Sequence, residues 1–161
     1  MSVIYVGVGE FAVSNKADDV IKTMALGSCV GVIFLSRELR AAALLHVALP
    51  DSSINKAHGQ EKPGMFADTG IDAVIKEFKR YGYSGNGNMA VKLVGGATIM
   101  DPNNTFNIGK RNLLAVRKIL WKYRLGAIAE DVEGAISRTV SVELESGRVI
   151  VSSPGRGEWE V

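Results

Sequence analysis

The sequence predicts an α+β fold, with mixed or antiparallel β-sheets covered by α-helices. Two pairs of apolar runs, each pair split by a short polar break, read as β-hairpins: Val30 to Leu35 with Ala41 to Leu49, and Thr139 to Leu144 with Val149 to Ser152. Two amphipathic helical segments lie between these pairs. The order lacks the regular strand–helix alternation of a parallel, doubly wound sheet.

Each element follows from local pattern. Val3 to Val8 is an apolar strand closed by Gly7-Val8-Gly9. The third glycine of a dinucleotide loop is missing and Phe11-Ala12-Val13 follows, so that reading fails. Asn15 to Asp19 is a polar turn before the strand-like Val20 to Leu26. Val30 to Leu35 and the run ending at Pro50 are apolar throughout, as strands buried on both faces are. Residues 51–62 read as a long polar loop beside the site, the kind that often closes over substrate. Pro63 opens a helix and Gly82 closes it, with Ile71, Val74, Ile75 and Phe78 on one face. Met89 to Val94 is a strand, and Gly95-Gly96-Ala97-Thr98 is a turn or a source of amide donors. Asp101-Pro102-Asn103-Asn104 marks another turn. Asn107 is the expected N-cap of a second helix whose inner face carries Leu113, Val116, Leu120 and Tyr123. Its outer face carries Lys110, Arg111, Arg117, Lys118, Lys122 and Arg124, a basic surface that is either merely solvated or steers an acidic partner. Ala127 to Val132 is a further strand.

With 161 residues the chain suits one domain, 1–153, followed by a loosely held tail, 154–161. A net charge of +2 without a dense basic block argues against nucleic acid. Apolar stretches fall short of a membrane span, and Met1-Ser2-Val3 lacks a basic signal-peptide start, so no membrane insertion is expected. One cysteine points to the reducing cytoplasm.

That cysteine, Cys29, is either an apolar filler or a working thiol. Gly27 and Ser28 precede it, and His46 lies in the facing strand. A turn centred between Arg37 and Glu38 sets Cys29 opposite His46, with Cβ atoms roughly 5 Å apart. A three-residue loop sends His46 to the other face. In the first register the imidazole stabilises a thiolate, the nucleophilic form. Thr23 is a candidate orienter of the ring, although a β-branched residue in a strand needs no such role. His58 is the rival base, without packing to orient it. Neither histidine has companion ligands, so no metal or cofactor is expected.

Gly7-Val8-Gly9-Glu10, Leu26-Gly27-Ser28-Cys29-Val30, His46-Val47-Ala48-Leu49-Pro50 and Gly64-Met65-Phe66-Ala67-Asp68 occur in an order that resembles the CheD family. Gly95-Gly96-Ala97, Asn107-Ile108-Gly109-Lys110-Arg111-Asn112 and Glu130-Asp131 extend the likeness. These are bacterial chemoreceptor glutamine deamidases with an α/β sandwich shared with toxin deamidases. The resemblance implies Cys29 as nucleophile, His46 as base and Thr23 as orienter; for such a reaction, backbone amides near Gly27, Ser28 and Cys29 are the candidate oxyanion donors. It implies chemoreceptor cytoplasmic helices as substrate and a CheC-type phosphatase as a possible partner. The alternatives are a non-catalytic chemotaxis binding module that regulates such a phosphatase, and an amidase or peptidase with other substrates. In one place the chain departs from the family: a Gly-Gly pair and a Gly-Arg are replaced within Val132-Glu133-Gly134-Ala135-Ile136-Ser137-Arg138.

Overall fold

The computed structural model describes residues 2–99 and 106–161, so the turn expected at 101–104 lies outside the described residues. The strands are β1 (Ser2–Tyr5), β2 (Phe11–Ser14), β3 (Asp19–Leu26), β4 (Val30–Ser36), β5 (Ala41–Val47), β6 (Ala90–Gly95), β7 (Ala127–Val132), β8 (Arg138–Glu143), β9 (Val149–Ser153) and β10 (Gly157–Glu160). The helices are α1 (Lys56–Glu61), α2 (Ala67–Arg80) and α3 (Ile108–Lys122). One sheet has the order β1-β3-β8-β9-β10 and the other β2-β5-β4-β6-β7. The pairs β1/β3 and β6/β7 are parallel and the rest antiparallel, so both sheets are mixed and the α+β expectation holds.

The apolar patterns decide how the layers stack. In β4, Val30, Val32 and Phe34 pack with Ile71, Val74, Ile75 and Phe78 of α2 and Leu113, Val116 and Leu120 of α3. On the opposite face, Ile33, with Ala42 and Leu44 of β5, meets Ile21, Val140, Val142, Val149 and Val151 of the other sheet. The β2–β7 sheet is therefore the middle layer, which is why β4 and β5 are apolar at nearly every position. Each of these large side chains contributes roughly 1.5–3 kcal/mol on burial. Strands β8 and β9 alternate buried with half-buried residues because only one face meets the core. The expectation that helices cover the sheets is thus refined: α2 and α3 pack on the middle sheet, whose other face the second sheet covers.

Several local expectations are corrected. The β4–β5 turn holds four residues, Arg37 to Arg40, with Arg40 left-handed. His46 accordingly pairs with Gly31, and Val30 with Val47. Phe11–Ser14 forms a strand on β5 that the sequence did not announce. Residues 51–62 are not an open loop: a 3-10 turn, Ser52–Ile54, leads into α1, and Asp51 and Asn55 cap them through backbone amides of Ser53 and His58. Asn107 precedes α3 in a left-handed conformation, and its side chain supplies no cap hydrogen bond. The segment 154–161 is no loose tail, because β10 pairs with β9 and the Trp159 indole N–H donates to Asp131. Where the chain departs from the family pattern, Glu133 and Gly134 both take left-handed angles. That turn braces the end of β6, since Glu133 N donates to Gly95 O at 2.9 Å and Thr98 N to Gly134 O at 2.9 Å.

Candidate active site

His46 lies on the β5 face turned toward the second sheet and is 2% exposed. Thr23, on β3 of that sheet, is buried as well. The Thr23 Oγ1 atom lies 2.6 Å from the Val6 carbonyl oxygen and 2.7 Å from His46 Nδ1. A carbonyl only accepts, so the hydroxyl proton goes to Val6 and the ring must donate from Nδ1–H to Thr23. The tautomer is thereby set, and the lone pair of the ring resides on Nε2. The His46 main chain is held too: its N–H donates to Glu10 O at 3.0 Å and its carbonyl accepts from Gly9 N at 2.9 Å. The Gly7-Val8-Gly9-Glu10 turn therefore buttresses the histidine rather than cradling a phosphate. Gly64 packs directly behind it, where a Cβ would lie 2.4 Å from Gly9 O.

Cys29 stands one residue before β4, in the bend Gly27 to Cys29, partly buried against the inter-sheet cluster. All three carbonyls of that bend are anchored. Gly27 O accepts from Ala97 N at 2.8 Å, Ser28 O from Asn112 Nδ2 at 2.9 Å, and Cys29 O from Gly96 N at 2.8 Å. In a planar trans peptide the N–H points opposite to its carbonyl, so the Ser28 and Cys29 amides turn away from these anchors. The amides of Gly96 and Ala97 thus serve the protein itself and not a substrate. A cavity of about 340 Å³ opens beside the bend, lined by Gly27, Ser28, Ala97, Ile99 and Phe106 among others.

The structure brings Cys29 and His46 to one face but not into the directly opposed register. Gly31 takes the place opposite His46. Cys29 lies two positions further along, a diagonal neighbour at roughly 7 Å between Cβ atoms by ladder geometry. An even-numbered turn preserves the face, which is why the four-residue loop keeps the pair together. Thr23 meets His46 as expected. His58 lies on α1 with its ring edge-on to Phe66. Asn112, on α3, received no role from sequence reasoning. Its signal was a polar residue on the apolar inner stripe of the helix with Gly109, Leu113, Val116 and Leu120, all buried. Among the described residues, no three His, Cys, Asp or Glu side chains are grouped to hold a metal ion.

Burial governs the charges here. It pushes the His46 imidazole down to about 4 from an ordinary 6.5, opposed by the negative charge of Glu10. It pushes the Cys29 thiol up, opposed by a hydrogen bond from its own backbone amide. At neutral pH burial drives both groups toward their neutral forms, a thiol and a neutral imidazole. One consequence is measurable. Between pH 6.5 and 4 the unfolded chain protonates His46 while the folded chain resists, so stability falls as pH falls. This contribution is intact above the unfolded value and reaches about 3 kcal/mol of loss at the acid end. Urea unfolding from neutral to acid pH checks it, since His46→Gln removes that part of the slope.

Comparisons with known proteins place this chain in a family. The family described as CheD chemotactic sensory transduction matches residues 48–153. A protein of Syntrophotalea carbinolica named "Probable chemoreceptor glutamine deamidase CheD" is 49% identical, with 100% of both chains covered. One of Solibacter usitatus with the same name is 42% identical, covering 97% of this chain and 92% of that one. The "Chemoreceptor glutamine deamidase CheD" of Thermotoga maritima is 37% identical over 95% of this chain and 93% of its own. Among solved structures, a Neisseria meningitidis protein covers 84% of this chain and 63% of that one at 12% identity and a TM-score of 0.44, too distant to carry an argument. The full-length relatives span the stretch from Thr23 to His46 that the family match leaves out, and the chain belongs to the CheD family.

Proposed function

We propose that this protein hydrolyses glutamine side chains in the cytoplasmic helices of chemoreceptors to glutamate, through a thioester on Cys29. The observation that carries the reading is the Val6–Thr23–His46 hydrogen-bond chain, which leaves Nε2 as the basic nitrogen on the face that Cys29 shares. The names of the full-length relatives supply the substrate.

Each step balances with two neutral groups at the start. The Cys29 sulfur forms a bond to the carboxamide carbon while its proton passes to His46 Nε2. The oxyanion is held by the Ser28 and Cys29 amides, which the anchored carbonyls turn outward. His46 returns the proton to nitrogen, the C–N bond breaks, and ammonia leaves. Water then attacks the thioester, giving one proton to His46. The carboxylic acid is released as Cys29 regains its proton. A histidine that stays neutral down to about pH 4 keeps its lone pair through the whole physiological range.

Incubation with receptor cytoplasmic fragments tests the reading: mass spectrometry should find amide-to-acid conversion at intact glutamine positions. Cut chains would indicate a peptidase. Bound but unconverted fragments would favour the binding-module alternative, in which a CheC-type phosphatase is the partner. Alkylation of Cys29 separates the two, because it abolishes turnover and spares docking. The orienting role of Thr23 has its own test. Thr23→Val keeps the shape but leaves Val6 O and His46 Nδ1 unpartnered, and kcat should fall about 10- to 100-fold, the equivalent of one lost buried hydrogen bond. Wild-type kcat in this variant removes Thr23 from the site.

A further inference from the structure

We propose that Asn112 is a positioning residue for Cys29 and His46, a clasp across the open end of the β4–β5 hairpin. The ladder between these strands runs from Ser36↔Ala41 to Val30↔Val47 and stops there. Beyond it the strands part. Ala48 N and Leu49 N both turn to Met65 O, at 3.0 and 2.9 Å, while the Gly27 and Cys29 carbonyls turn to the end of β6. At the level of the thiol, one carboxamide links the two chain segments among the described residues: Asn112 Nδ2 donates to Ser28 O at 2.9 Å and to Ala48 O at 3.0 Å. Ser28 adjoins Cys29, and Ala48 follows His46 by two residues.

Two further features set Asn112 apart from a packing residue. It is fully buried, and among the described residues its Oδ1 has no hydrogen-bond partner. An unpartnered buried acceptor is unfavourable, so packing alone would favour leucine here. Moreover, the grip on Ser28 O orients the peptide whose other end is the Cys29 N–H, one of the two proposed oxyanion donors. Asn112 touches neither substrate nor reacting atoms and acts through Ser28 and Ala48.

The inference rests on Cys29 and His46 being nucleophile and base, and its test includes an arm that needs no substrate. Asn112→Leu and Asn112→Asp are compared with wild type for kcat and KM on a receptor fragment, melting temperature, and the pH dependence of Cys29 alkylation by iodoacetamide. Asn112→Leu should melt close to wild type, lose about 100-fold in kcat with KM changed less than about threefold, and shift its alkylation curve toward that of His46→Ala. Asn112→Asp, with acceptors where donors stood, should lose at least as much. Asn112→Ser, which keeps one donor, should recover part of the loss. Wild-type kcat in folded Asn112→Leu overturns the proposal, as does activity that falls only with the folded fraction while the alkylation curve stays put. Failure of both variants to fold assigns Asn112 to the core and overturns it too. If wild type turns over no receptor fragment, the deamidase reading fails separately and the alkylation curves decide the role of Asn112.

Discussion

Cys29→Ala and His46→Ala should each lower kcat on receptor glutamines by about 10⁴-fold or more, and the double variant should fall little further. The reason is that neither group works alone. The thiol is pushed away from its ionised form by burial, so without His46 there is no base to take its proton. The imidazole, held neutral, has nothing to activate once the sulfur is gone. Residues that act as a unit lose nearly everything at the first removal, so the energies of the two single variants do not add. Deamidation kinetics on one receptor fragment with all three variants checks this. Losses that multiply would mean that the two residues contribute independently.

Gly95→Ala is expected to be the most damaging substitution outside the reacting groups. Gly95 has φ 106, which L side chains rarely adopt, and an added Cβ would stand 2.4 Å from the Cys29 carbonyl oxygen. The atom in the way is main chain, so relief requires moving the Cys29 bend itself. A misplacement on the order of 1 Å costs about 100-fold in rate, and backbone strain of roughly 1–3 kcal/mol lowers stability as well. Gly126→Ala is the control, because a Cβ there meets nothing within 4 Å among the described residues. Kinetics and thermal melts of the two variants decide. A Gly95→Ala enzyme with wild-type kcat would show that the bend tolerates displacement.

Much of this architecture was written in local pattern. The α2 stripe of Ile71, Val74, Ile75 and Phe78 is buried as its spacing predicts, and the β8–β9 hairpin stands where Glu145 to Arg148 break the apolar run. Periodicity reports which face is buried, and it was reliable where one face alone is. It does not fix turn length. Ser36 to Arg40 is uniformly polar apart from Leu39, so nothing in it distinguished two turn residues from four, and the partner of His46 moved from Cys29 to Gly31. Strands at the sheet edges were the hardest to see. Phe11–Ser14 is short, and Gly157–Glu160 has only Trp159 to suggest burial, so long-range pairing decided both. The short helix α1 was hidden because Lys56 to Glu61 is nearly all polar and buries only Gly59.

The candidate site was legible in its parts and not in its assembly. Cys29 and His46 stood out as a lone thiol and a histidine inside apolar strands, and Thr23 was a weaker candidate that the family resemblance reinforced. What sequence does not carry is the bracing: the Gly9–Glu10 main chain against His46, the Gly96 and Ala97 amides on the Gly27–Cys29 bend, and Asn112. These contacts join residues far apart in the chain, and only Asn112, a polar residue on the apolar stripe of α3, leaves a periodic trace.

The most direct test is acid-quenched turnover of a receptor fragment followed by mass analysis of the Cys29-containing peptide. A glutamyl thioester should accumulate on Cys29 in the wild type and be absent from Cys29→Ala, which should leave the glutamines unconverted. Conversion of receptor glutamines at an undiminished rate by Cys29→Ala, with no adduct on the wild-type peptide, would contradict the account.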